Sequence, residues 1–87
     1  GGAAHRVLIK AIQSTWIEIR DPEGVVLLSS ILKAGDMYFV PDRKGLLLST
    51  GNAGGFEVEV DGKPVPRLGE IGDVRRSVSI DPDVLAN

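Results

Sequence analysis

Apolar and polar residues alternate with a period of two along most of this chain, and no stretch repeats with the period of a helix. Residues 56–60 show it most plainly. Phe56, Val58 and Val60 fall on one side of an extended chain and Glu57 and Glu59 on the other, a strand with one face to a core and one to water. Residues 15–20 alternate in the same way, with Ile17 and Ile19 opposite Trp16, Glu18 and Arg20. The largest aromatic of the chain therefore shares a face with two charges. Further strands are predicted over residues 6–12, 25–33, 37–40, 46–49, 63–66 and 75–80, with turn residues at intervals of roughly 8 to 12 positions. The apolar run from Val25, interrupted only by Ser29 and Ser30, reads as a core strand. Alternation in the last segment places Arg76, Val78 and Ile80 together on one face, and Pro64 and Pro66 assign 63–66 to a sheet edge, because proline cannot donate to a ladder.

The punctuation fits hairpins. Asp21, Pro22, Glu23 and Gly24 suit a tight reversal, with Pro22 setting its own φ and Gly24 free to take a positive one. Asp61-Gly62 is a favoured pair for a two-residue turn that needs positive φ at both positions. Gly51 and Asn52 open a glycine-rich break, residues 51–55, that needs backbone freedom, and Asp81 before Pro82 suits the cap of a single terminal helical turn. The expected fold is all-β, a small antiparallel β-sandwich of about seven to eight short strands, either Ig-like or a partly open barrel.

Composition narrows what such a fold would do. The chain's 87 residues suit one domain, read as residues 6–87, which buries about 60 to 65% of its unfolded surface. Residues 1–5, opening Gly1-Gly2-Ala3-Ala4, read as a linker or expression remnant. Ten Lys plus Arg against twelve Asp plus Glu give a net charge of −2. Nucleic-acid binding wants a concentrated basic face, whereas Arg43 with Lys44 and Arg75 with Arg76 are isolated pairs beside acidic neighbours. The absence of cysteine excludes disulfides and thiolate metal sites. No apolar run approaches the roughly 18 to 20 residues that span a bilayer, so membrane insertion by this stretch is not expected.

Candidate chemistry is sparse. His5, the single histidine, sits at the ragged N-terminus, where fixed hydrogen-bond geometry is hard to hold. Glu57 and Glu59 lie about 7 Å apart on one strand face, a spacing reminiscent of a glycosidase carboxylate pair and equally ordinary for a water-facing strand. Asp81 and Asp83 lack the ligand ladder of a calcium loop, so capping is the better account. Residues 51–55 lack the Lys, Ser or Thr and the following helix of a phosphate-cradling loop. No cofactor or metal is expected. Trp16 is the one residue whose functional reading competes with a structural one. Parity turns it outward beside Glu18 and Arg20, where it would stack on a sugar or anchor a partner, while a bulge near Ser14 and Thr15, or an overlying loop, would bury it.

Taken in order, Ser14-Thr15-Trp16-Ile17-Glu18-Ile19-Arg20-Asp21 with Gly24, Leu32-Lys33-Ala34-Gly35-Asp36, Gly51-Asn52-Ala53, and residues 58–65 with their Asp61-Gly62-Lys63-Pro64-Val65 hairpin make a series. In that order and spacing the chain resembles the C-terminal periplasmic domain of RodZ, the bacterial cell-shape protein, over about residues 6–80. The resemblance implies a noncatalytic interaction domain. Proteins of this kind are single-pass inner-membrane scaffolds that engage the actin-like filament protein MreB inside the cell and carry this β-domain in the periplasm. It implies membrane-associated cell-elongation proteins as partners, with peptidoglycan binding as the alternative, and it supplies no catalytic residues. Trp16, Glu18 and Arg20 are the expected partner-binding positions. Asp21, Pro22, Gly24, Gly51, Asn52, Asp61 and Gly62 are expected to shape turns.

Overall fold

The computed structural model describes residues 6–86. His5, the remainder of the 1–5 segment and Asn87 lie outside the described residues. Eight strands and a helical turn follow along the chain: β1 Val7–Ala11, β2 Thr15–Arg20, β3 Val26–Leu32, β4 Met37–Val40, β5 Leu47–Thr50, β6 Phe56–Val60, β7 Lys63–Val65, β8 Arg75–Ser79 and α1 Pro82–Leu85. They form two four-stranded antiparallel sheets, ordered β4-β1-β6-β7 and β3-β2-β5-β8. The all-β sandwich expected from the pattern is what forms, and the sheets do not close into a barrel.

Alternation explains the layering. Ile9 pairs with Val58 across β1 and β6, and Ile17 and Ile19 pair with Thr50 and Leu48 across β2 and β5. All of these are at most 1% exposed, and with Phe56 they fill the space between the sheets. Ile80 and Leu46, which lie beside strand ends and are tied by the Ile80 N–H to the Leu46 carbonyl, plug one end of the core.

Three local expectations are corrected. The 25–33 segment is an edge strand, not a core strand: among the described residues β3 pairs only with β2, and of its seven residues only Leu32 is buried. Its apolar run splits between faces, Leu28 and Leu32 inward opposite Ile19 and Thr15, Ile31 outward opposite Trp16. In β8 the register slips by one residue between the Val78–Leu48 and Arg75–Thr50 pairs, with Ser77 at a φ of 53°. This bulge, with one extra residue opposite Ser49, breaks the period of two, so Arg76 does not share the inner face with Val78 and Ile80. Finally, Asp81 stands at the N-cap of α1 but makes no side-chain cap bond; its Oδ1 accepts the Gly45 N–H at 3.0 Å instead.

Candidate functional site

The outer face of the β3-β2-β5-β8 sheet is built by the same parity that fills the core. Trp16 and Ile31 are directly paired, 40% and 61% exposed, and Glu18 lies opposite both Ser29 and Ser49. No register shift occurs near Thr15; the shift in this pair of strands lies between Ile19 and Arg20, so Trp16 keeps its outward direction. Its backbone is held firmly. The Trp16 carbonyl accepts the Thr50 hydroxyl at 2.8 Å and the Gly51 N–H at 3.3 Å, and the Thr50 hydroxyl in turn accepts the Asn52 N–H at 3.2 Å.

Next to this aromatic plate lies a groove of about 340 Å³ lined by Trp16, Glu18, Ser49, Thr50, Gly51, Val74 and Arg76. Arg20 does not reach it. Its Nε donates to Glu18 Oε1 at 2.6 Å, and that bond with the Glu18 charge raises the guanidinium pKa above its ordinary value. Glu18 and Arg20 therefore satisfy each other, whereas Arg76 belongs to none of the ion pairs among the described residues. The groove offers an aromatic surface, one unpaired cation and a rim of small polar residues. Arg76 and Val74 were missed by sequence reasoning, because the bulge that brings Arg76 outward is centred on a serine and no residue type announces it. Ile31 was missed because its partnership with Trp16 depends on register between two strands. That signal was available in principle from parity within residues 25–33.

A second groove of about 370 Å³ opens on the opposite sheet, lined by Arg6, Val7, Leu8, Phe39, Glu59, Asp61 and Gly62. Its charges are already matched. Arg6 makes a two-bond fork to Asp61 at 2.9 and 2.8 Å, which holds the Asp61 carboxyl below its usual pKa, and Lys10 Nζ stands 3.4 Å from Glu59. Glu57 and Glu59 do share the outer face of β6, half-buried, with Lys10 directly across from Glu57. A glycosidase pair needs two carboxylates held around open space, and here a lysine stands beside them. Among the described residues no cluster of three or more His, Cys, Asp or Glu is placed to hold a metal ion.

The turn residues frame the sheet from its ends. Asp21, buried, accepts the N–H groups of Val25 and Glu23 on Oδ1, both at 2.9 Å, and the Arg43 guanidinium on Oδ2 at 3.2 Å. The Val25 bond foremost, then the Glu23 and Arg43 bonds, outweigh the effect of burial and lower its pKa. Pro22 lies against Gly45 so closely that a Cβ there would collide with its ring. Gly24 has a φ of 85°, and Asp61 and Gly62 have φ of 52° and 81°, the geometry of a two-residue hairpin. At the other end Asn52 bridges two segments, its Nδ2 donating to Gln13 Oε1 and its Oδ1 accepting the Gly72 N–H. The glycines around it serve close approach: a Cβ on Gly54 would collide with the backbone of Glu70 and Ile71, and one on Gly55 with Thr15 and Asn52.

Fold and face together define a small two-sheet β-domain that presents an aromatic-centred sheet surface. A family model described as the RodZ C-terminal domain matches residues 9–78. The chain belongs to that family, a scaffold-type family tied to bacterial cell shape. No curated protein and no solved structure matches it.

Proposed function

We propose that this chain is the periplasmic interaction domain of a RodZ-type inner-membrane scaffold, coupling the MreB cytoskeleton to peptidoglycan elongation, and that it contacts membrane-associated cell-elongation proteins without catalysing a reaction. The observation that carries the reading is the placement of Trp16. A chain with one tryptophan and a small core turns that residue outward, fixes its backbone with two hydrogen bonds, and sets it between exposed Ile31 and unpaired Arg76. Such amphipathic aromatics with an adjacent arginine are the residue types that dominate binding energy at protein interfaces. No helix of the described residues is long and apolar enough to cross a membrane.

The test is capture of elongation proteins from detergent-solubilised inner membranes with the folded domain as bait. Recovery is expected with the natural sequence and loss of recovery with Trp16→Ala; failure to recover any elongation protein with a folded bait overturns the reading. A peptidoglycan-binding role is the second reading, favoured by the polar rim of Glu18, Ser49, Thr50 and Arg76 around the aromatic plate, which suits stacking on a sugar ring. Cosedimentation with purified wall sacculi separates the two. Binding that vanishes in Trp16→Ala supports the glycan role, and no binding excludes it.

A further inference from the structure

The two sheets have four edges, and three of them are guarded. β4 is four residues long and runs into Pro41, β7 is three residues long with Pro64 in its middle, and β8 carries Arg75, Arg76 and the Ser77 bulge. Short length, proline, charge and bulges are the devices that keep an edge from pairing with another chain. β3 has a single bulge near its start and none of the other devices. It is seven residues long, contains no charge and no proline, and pairs on one side only among the described residues.

The direction of its free backbone groups follows from the ladder. Gly51 donates to the Trp16 carbonyl, so Trp16 bonds toward β5, and its neighbours Thr15 and Ile17 bond toward β3. Their partners Leu32 and Ser30 therefore use their N–H and C=O groups on β2, and the alternation of an antiparallel ladder turns those of Ser29 and Ile31 outward. Ser30 is aimed by parity at the space between the sheets, yet it is exposed, so the sandwich is open along this border.

We propose that β3 is a self-pairing edge: two copies of this chain join β3 to β3 antiparallel about a two-fold axis at Ser30, extending the β3-β2-β5-β8 sheet to eight strands. This goes beyond the partner-binding reading of the Trp16 groove and uses a different border of the sheet. A second copy suits the edge because an uncharged strand paired with itself brings no like charges together, and because a two-fold pairing is closed and cannot grow into a fibre through that edge. The register is selected by what is available. Setting Ser29 opposite Ile31 of the second copy makes two hydrogen-bonded pairs from regular residues. A shift in one direction would need Leu27, which sits at the β3 bulge opposite Ile19 and Arg20, and a shift in the other would need Lys33, whose N–H is already given to Asp36 Oδ2 at 2.9 Å. In the chosen register Ile31 and its symmetry mate are diagonal neighbours about 7 to 8 Å apart, within reach of each other and of the two Trp16 rings beyond them. Ile31, the most exposed apolar residue of the strand, would thereby be covered. The side of Trp16 toward Val74 and Arg76 stays open.

The chain contains no cysteine, so single substitutions report the register cleanly. In this arrangement Ser30 faces its own mate as a non-hydrogen-bonded pair with Cα atoms about 4.5 Å apart, inside the range a disulfide spans, whereas Ser29 and its mate are diagonal at about 7 to 8 Å and outside it. Under mild oxidation Ser30→Cys is expected to form a covalent dimer at least about tenfold faster than Ser29→Cys or the outer-face control Ser49→Cys. Sedimentation of the natural chain should show a concentration-dependent species of twice the 9.3 kDa chain mass. Ser29→Pro, which removes an outward N–H, and Ile31→Lys, which sets two like charges beside the axis, should each weaken association about tenfold or more while the melting transition stays cooperative. Loss of self-association in Ser29→Pro with elongation-protein capture intact would separate this edge from the Trp16 groove, since Ser29 is not among the residues that line that groove. A chain that stays monomeric at millimolar concentration overturns the proposal, as does equal oxidation of the three cysteine variants. So does protection of the Ser29 and Ile31 amides from hydrogen exchange only when a foreign strand is added.

Discussion

The two faces of β2 are built from adjacent residues and have opposite fates. On the inner face Thr15, Ile17 and Ile19 are at most 2% exposed, and each is matched across the sheet by a buried or half-buried neighbour or by the Ser30 border. On the outer face Trp16, Glu18 and Arg20 keep their contact with water, although Trp16 is the larger apolar group by far. A domain of this size gains most of its stability from burying large side chains, and this one fills its core with isoleucine, leucine, valine and one phenylalanine instead. The inner face is committed to folding. The outer face is free to be used, and the distinction can be broken or sharpened by substitution on each side.

The largest effect is expected on the inner side. Ile17→Ala removes a fully buried side chain from between the sheets, where flanking strands cannot collapse into the space, and should cost about 3 to 4 kcal/mol. For a domain of this length that corresponds to a melting temperature lower by roughly 12 to 25 °C. Thermal and urea unfolding followed by circular dichroism measure it. A loss under about 1 kcal/mol would mean that Ile17 does not pack as described.

Parity made the inner face of β2 and of β6 legible in the sequence, because both strands run without interruption: Ile17 and Ile19, then Phe56, Val58 and Val60, fall inward as their positions require. Turn chemistry made the hairpin ends legible for a similar reason, since Gly24, Asp61 and Gly62 carry local conformations that few residue types adopt. What escaped was long-range. The bulge at Ser77 depends on how β8 meets β5 and the Ser49 hydroxyl that accepts the Ser77 N–H, and it decides that Arg76 joins the Trp16 groove. The edge position of β3 depends on strand order, which a run of apolar residues does not encode. Gly54 and Gly55 were legible as glycines but not in purpose, which is the approach of residues 70–71 and of Thr15 and Asn52.

A smaller effect, and one with a pH signature, is expected where β2 ends. The folded protein lowers the pKa of Asp21 through its bonds from Val25, Glu23 and Arg43, so the carboxylate stabilises the fold fully above its unfolded value of about 3.9, and that contribution is lost as pH falls through the lowered folded value. Asp21→Asn keeps an oxygen for the two N–H groups and gives up the charge. Its urea midpoint at pH 7 should fall by less than that of Ile17→Ala, and its midpoint should then change less than that of the natural chain between pH 5 and pH 2.5. Asp61→Asn serves as the comparison, because Asp61 also has a lowered pKa but lies in an exposed pair with Arg6 that solvent screens. Parallel acid limbs for the natural chain and Asp21→Asn would show that the buried turn carries no such linkage.

The smallest effect on stability is expected from the residue that matters most to the functional reading. Trp16→Thr keeps a strand-favouring side chain and the backbone bonds from Thr50 and Gly51, and removes chiefly the cross-strand contact with Ile31. Cross-strand pairs are worth roughly 0.2 to 1 kcal/mol, so the substitution should lower stability by about 1 kcal/mol at most while abolishing capture of elongation proteins. The emission of Trp16 in the natural chain should also be red-shifted and open to a soluble quencher. A blue-shifted, unquenched spectrum together with a stability loss approaching that of Ile17→Ala would place Trp16 with the inner face in energetic terms. The contrast between the two faces of β2 would then disappear, and with it the ground for assigning binding to this sheet.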